Sequence, residues 1–198
     1  MPYVCILALL LAGAPLDPPR PIQLIYVEPP GAVWTAEERA AAAAGVQAAL
    51  DYWQELAPEP APLAITSARV ITTTADIYQQ LEWSRPYVAG PPELTIFLID
   101  GTAPLLGTSL AQSQTPLGLI WVLRGEGDDF AATIAHELGH VIYELPHQYQ
   151  DAGDIMGFVP TAAYQARRVG CPSLAALGRP CASVWLPLIG SPQTAARA

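Results

Sequence analysis

All three histidines of this chain fall in one window, His136-Glu-Leu-Gly-His140-Val-Ile-Tyr-Glu-Leu-Pro-His147. The first two frame a His-Glu-x-x-His pair, and that spacing constrains the fold more than any other feature. Residues four apart on an α-helix stand one turn above each other on the same face, so His136 and His140 offer their ring nitrogens to a single ion. Gly139 and its apolar neighbours fit a buried helix. Glu137 shares the histidines' face, where a carboxylate beside a metal-activated water is placed to act as general base. The chemistry implied is hydrolytic. Such strings also arise by chance on ordinary helices. Gathering every histidine of a 198-residue chain into one window argues against chance here.

The segment 128–158 resembles the metzincin clan of zinc endopeptidases, whose extended pattern is His-Glu-x-x-His-x-x-Gly-x-x-His followed by a methionine-containing turn. The resemblance implies zinc as cofactor, His136, His140 and His147 as its ligands and Glu137 as the catalytic base. Met156, in Asp154-Ile155-Met156-Gly157, would be the turn methionine beneath the metal. The implied fold is α/β (α+β), a mixed twisted sheet with an active-site helix and a small C-terminal subdomain after the turn. One departure concerns the third ligand: His147 comes seven residues after His140 where the clan has six, and Tyr143-Glu144 stand in place of its Gly. Pro146 disfavours a helical Leu145 and so helps stop the helix. If the helix ran one more turn, Glu144 would continue the row from His136 and His140 and compete as ligand. Asp151 and Asp154 are oxygen donors a short loop away. Imidazole suits zinc, and three protein ligands with one open position is the catalytic arrangement, which favours His147. A second departure is Phe158, two residues after Met156, where some clan members carry a Tyr that reaches the metal. Tyr149 and Tyr164 are the alternatives for that role.

Charge and cysteines bound the setting. The net charge is −9 and every one of the nine basic residues is an arginine, scattered except for Arg167-Arg168, so nucleic acid is excluded as a partner. Residues 1–14 form an apolar run ending in Ala12-Gly13-Ala14, too short to span a bilayer and suited to a secretory signal. A buried N-terminal strand is the other reading of that run, which lacks a basic flank and contains Cys5. Cys171 and Cys181 flank a short loop and read as a disulfide in an exported protein, worth roughly 3 kcal/mol. The mature chain, 15–198, then makes one domain, with an upper part at 22–143 and a lower part at 144–198.

Strands and helices alternate along the upper part. Residues 22–27 read as an apolar strand between prolines. Thr35 and Glu38 form a capping box for a helix whose Val46, Leu50 and Trp53 mark the buried stripe until Pro58 ends it. Further strands are expected at 63–73, 94–99 and 119–123, with a short helix at 75–83 and an exposed edge strand at 108–114. Asp128 or Asp129 is expected to cap the metal helix, with Phe130, Ile134, Leu138 and Val141 toward the core and Thr133, His136, Glu137 and His140 toward the cleft. In the clan the edge strand pairs with an extended substrate, which makes 105–114 the candidate segment. The expectation is a secreted or periplasmic zinc endopeptidase acting on peptide or protein substrates, with no membrane span in the mature chain. A catalytically weak zinc-binding domain with a recognition role is the alternative.

Overall fold

The computed structural model describes residues 20–56, 63–74, 79–88, 93–100, 110–124, 127–148, 154–157 and 169–181. The expected signal at 1–14, together with Tyr149, Asp151, Phe158 and Tyr164, lies outside them. Strands β1 (Arg20–Glu28), β3 (Leu94–Ile99) and β5 (Leu119–Leu123) are nearly continuous apolar runs, the composition needed by strands covered on both faces. β1 pairs in parallel with β3, and β3 with β5. β2 (Leu63–Thr72) joins β1 in parallel at one edge, while β4 (Ala111–Gln114) closes the other edge antiparallel to β5. The order β2-β1-β3-β5-β4 gives one five-stranded mixed sheet, in agreement with the α/β class expected.

Side-chain alternation divides the core in two. Ile22, Leu24 and Tyr26 of β1 enter the larger cluster, which the helices cover. Ile25 and Val27 point the opposite way, into a smaller cluster with Phe97, Ile99, Trp121 and Trp83. Helix α1 (Ala36–Leu56) starts at the expected capping box: Thr35 N–H donates to Glu38 Oε2 at 2.8 Å, and Glu38 N–H to Thr35 Oγ1 at 3.2 Å. Its Val46, Leu50 and Trp53 are fully buried, as the stripe requires. Helix α3 (Gly127–Tyr143) packs against α1 and buries Phe130, Ile134, Leu138 and Val141. The Trp53 indole N–H donates to the Ala135 carbonyl at 2.7 Å and so fixes α1 against α3.

Two glycines let these elements approach. A Cβ at Gly45 would stand 2.8 Å from the Phe130 ring, and one at Gly139 would stand 2.5 Å from Met156 Sδ and 2.9 Å from Trp53. The Trp53 ring cannot yield without breaking its indole bond to Ala135, and Met156 is wholly buried. Gly139→Ala is therefore expected to overpack the helix despite its better helix propensity, lowering stability by about 1–3 kcal/mol. Thermal unfolding of the variant checks this; an unchanged midpoint would show that Met156 repacks freely.

The structure departs from the expected elements in three places. The short helix α2 (Gln80–Ser84), extended by a 3-10 turn at Arg85–Tyr87, begins later than expected, and 75–78 lies outside the described residues. Helix α3 starts at Gly127, so Asp128 and Asp129 occupy its first turn instead of its cap, the usual uncertainty of a helix boundary. The stretch after Cys171, expected as a loop, opens with helix α4 (Cys171–Ala176). Pro172 stands in its first turn, where proline's fixed φ favours helix initiation. The expected Cys171–Cys181 disulfide is formed, with a Cα–Cα distance of 4.9 Å. Among the described residues, no helix is long and apolar enough to cross a membrane.

Candidate metal centre

Helix α3 sets His136 and His140 on one face, and the chain beyond it brings His147 back to them. The three Nε2 atoms form a near-equilateral triangle: 3.1 Å from His140 to each of the others and 3.2 Å between His136 and His147. The outer nitrogens explain the inner ones. His136 Nδ1 lies 2.7 Å from the Ile155 carbonyl and His140 Nδ1 lies 2.5 Å from the Leu145 carbonyl. A carbonyl only accepts, so both rings carry their proton on Nδ1 and turn an Nε2 lone pair inward. Two facing lone pairs at 3.1 Å repel unless a cation sits between them. The triangle fits such a cation, since zinc–imidazole bonds of roughly 2.0–2.1 Å at tetrahedral angles place ligand nitrogens about 3.3 Å apart. These residues form a group that can hold a metal ion.

Protonation favours the same reading. Burial holds the His140 imidazole below the usual histidine range, opposed by its bond to Leu145 and reinforced by the charge of His147. Burial lowers His147 as well. Neutral imidazole is the form that binds metal.

The return of His147 depends on one backbone conformation. Helix α3 ends at Tyr143, and Glu144 then takes a left-handed φ of 52°. Leu145 completes the stop: its N–H donates to the Gly139 carbonyl at 3.1 Å while its own carbonyl receives His140 Nδ1. Glu144 is exposed and is not part of the histidine group. His147 follows Glu144 by three residues, the distance that separates Gly from the third His in the metzincin pattern. Holding a residue with a Cβ in the left-handed region costs roughly 1–2 kcal/mol, partly offset by the greater freedom of glycine when unfolded. Glu144→Gly is accordingly expected to raise stability by about 0.5–1 kcal/mol, read as a higher unfolding midpoint. A lower midpoint would mean that the Glu144 side chain contributes more than its backbone costs.

Glu137 is 7% exposed and projects toward β4, where Ser113 hydrogen-bonds its carboxyl. Burial pushes this carboxyl up to about 7, with the Ser113 bond acting in the opposite direction. A second hydroxyl ties the same edge to the helix, as Thr115 Oγ1 donates to the His140 carbonyl at 3.3 Å. Ala111 packs on the core cluster. Ala111 and Ser113 thus share one face of β4, an alternation that a strand reading could have revealed once the edge was placed against α3, and Thr115 follows in the 3-10 turn at Thr115–Leu117. The sequence reading proposed this edge without assigning those hydroxyls. Met156 is fully buried beneath Gly139, and the oxygens of Asp154, weighed above as possible ligands, receive hydrogen bonds from Met156, Gly170 and Ser173.

A mixed α/β domain carrying a three-histidine cluster is the class that fold and site define. No protein-family model and no curated protein matches the sequence. By structure the chain is similar to metalloproteinase-II from Bacteroides fragilis, with a TM-score of 0.47 and 11% identity over 80% of this chain and 52% of that one. It is also similar to a zinc-dependent peptidase from Methanocorpusculum labreanum, with a TM-score of 0.45 and 13% identity over 79% of this chain and 99% of that one. The chain spans about half the length of the Bacteroides protein.

Proposed function

We propose that this protein is a secreted zinc-dependent endopeptidase of the metzincin type. The observation that carries the proposal is the triangle of Nε2 atoms, 3.1–3.2 Å on a side, with Glu137 on the next position of the same helix. His136, His140 and His147 would hold the ion. Zinc bound there supplies a Lewis acid that lowers the pKa of a water and polarises a carbonyl. Glu137 would take a proton from the attacking water and hand it to the leaving amine, so one side chain would serve as base and then acid. A carboxyl raised to about 7 suits both duties, because its two protonation states then lie close in energy near neutral pH. Among the described residues β4 is the last strand of the sheet on the side of Glu137, the position at which an extended peptide would add as a further strand. The Cys171–Cys181 disulfide supports an oxidising compartment.

Two measurements test the reading. Purified protein should carry about one zinc per chain and cleave an unstructured protein, with chelator abolishing cleavage and zinc restoring it. Because His140 and His147 are held below the ordinary imidazole value of 6.5, their neutral forms persist on mild acidification. Zinc should therefore remain bound at pH 6.5 and be released only at lower pH. A chain that takes up no zinc at neutral pH overturns the metal centre, and a zinc-loaded chain without peptidase activity overturns the catalytic role.

A further inference from the structure

Asp154 is a fully buried carboxylate that the proposed hydrolysis does not use. Burying such a group costs several kcal/mol unless donors replace its water. Here Oδ1 receives the Met156 N–H at 2.9 Å, while Oδ2 receives the Gly170 N–H at 2.8 Å and the Ser173 hydroxyl at 3.2 Å. The first bond is an aspartate capping its own backbone two residues on, which fixes a turn. Gly157 N–H closes the same turn on the Asp154 carbonyl at 2.8 Å. The other two bonds anchor that turn to the start of α4.

The held turn reaches two of the three histidines. Ile155 sits between the anchored residues, and its carbonyl takes the Nδ1 proton of His136 at 2.7 Å. Met156 follows, and its carbonyl accepts the N–H of Gln148, the residue after His147, at 2.8 Å. Gln148 and Gly157 also form an isolated parallel bridge. One short turn therefore orients the ring of His136 and holds the backbone carrying His147, and the group holding the turn is Asp154. We propose that Asp154 is a positioning residue of the metal centre, setting the directions of His136 and His147 without touching the ion. This rests on reading the three histidines as a metal site.

The test is a zinc-competition titration of the metal-free protein against a chromophoric chelator, alongside thermal unfolding of the same samples. Asp154→Asn keeps the shape and an acceptor for Met156 N–H, but sets an amide donor against the donors of Gly170 and Ser173. Loss of a partner that orients a ligand costs roughly 10 to 100-fold in affinity, and that is the weakening expected. Ser173→Ala removes one donor and should weaken zinc binding by a smaller factor in the same direction. In both variants the absorption of the cobalt-substituted protein should change, because it reports ligand geometry. Wild-type zinc affinity and cobalt spectrum in variants with lowered unfolding midpoints would overturn the proposal and leave Asp154 a purely structural group. If Asp154→Asn does not fold, Ser173→Ala decides by the same criteria. A wild-type chain that binds no zinc overturns the metal site and this inference together, whereas tight wild-type binding matched by both variants overturns this inference alone.

Discussion

Glu137→Gln is expected to cut peptidase activity by at least roughly 100-fold while zinc stays bound, the usual loss when a general base is removed. Glutamine keeps the volume and can still receive the Ser113 hydrogen bond, so the variant removes basicity and little else. The same substitution has a second, opposite consequence. Burial raises the Glu137 carboxyl from 4.5 to about 7, so folding favours its neutral form. The sign of the linkage follows: this group stabilises the metal-free fold relative to the unfolded chain at acid pH, and that contribution is lost as pH rises from 4.5 through about 7. Glu137→Gln escapes the loss. Chelator-treated variant should accordingly unfold at a higher temperature than chelator-treated wild type at pH 8, with the difference vanishing near pH 4. Activity retained on an unstructured protein would remove Glu137 from the mechanism. Activity lost together with bound zinc would show that the residue shapes the site instead.

What the sequence disclosed depended on how local each signal is. Thr35 and Glu38 announce the start of α1 because the two hydrogen bonds of a capping box close within three residues. The apolar runs of β1, β3 and β5 announce strands buried on both faces. Their lateral order was not legible, since pairing β1 with both β2 and β3 is decided by distant contacts. The histidine window was visible because its spacing matches the helical repeat. The turn that delivers His147 was harder, because the left-handed residue is Glu144 and the glycine that usually marks such a position is missing. Asp154 was legible only as an oxygen donor near the metal and not as the anchor of a turn, because its partners at Gly170 and Ser173 are sixteen and nineteen residues away. α4 falls in the stretch between Cys171 and Cys181 that reads as a short loop, where Pro172 is compatible with a helix start.

The third ligand gives the other large expected effect. His147→Ala should weaken zinc binding by more than the roughly 10 to 100-fold that loss of a ligand's orienting partner costs, whereas Glu144→Ala should leave it within a few-fold of wild type. The reasoning is geometric. His147 Nε2 stands 3.1 Å from that of His140 and 3.2 Å from that of His136, so its loss opens one corner of the triangle. Glu144 is exposed, and its positive φ carries the chain off the helix instead of continuing the row of His136 and His140. A carboxylate there cannot take the corner without rebuilding the turn that Leu145 closes through Gly139 and His140. Burial also keeps His147 neutral, so the free protein already presents the imidazole in its metal-binding form. Competition titrations of the two variants, each confirmed folded without metal, decide the matter. Strong weakening by Glu144→Ala, with His147→Ala near wild type, would transfer the ligand to Glu144 and set this chain outside the metzincin pattern.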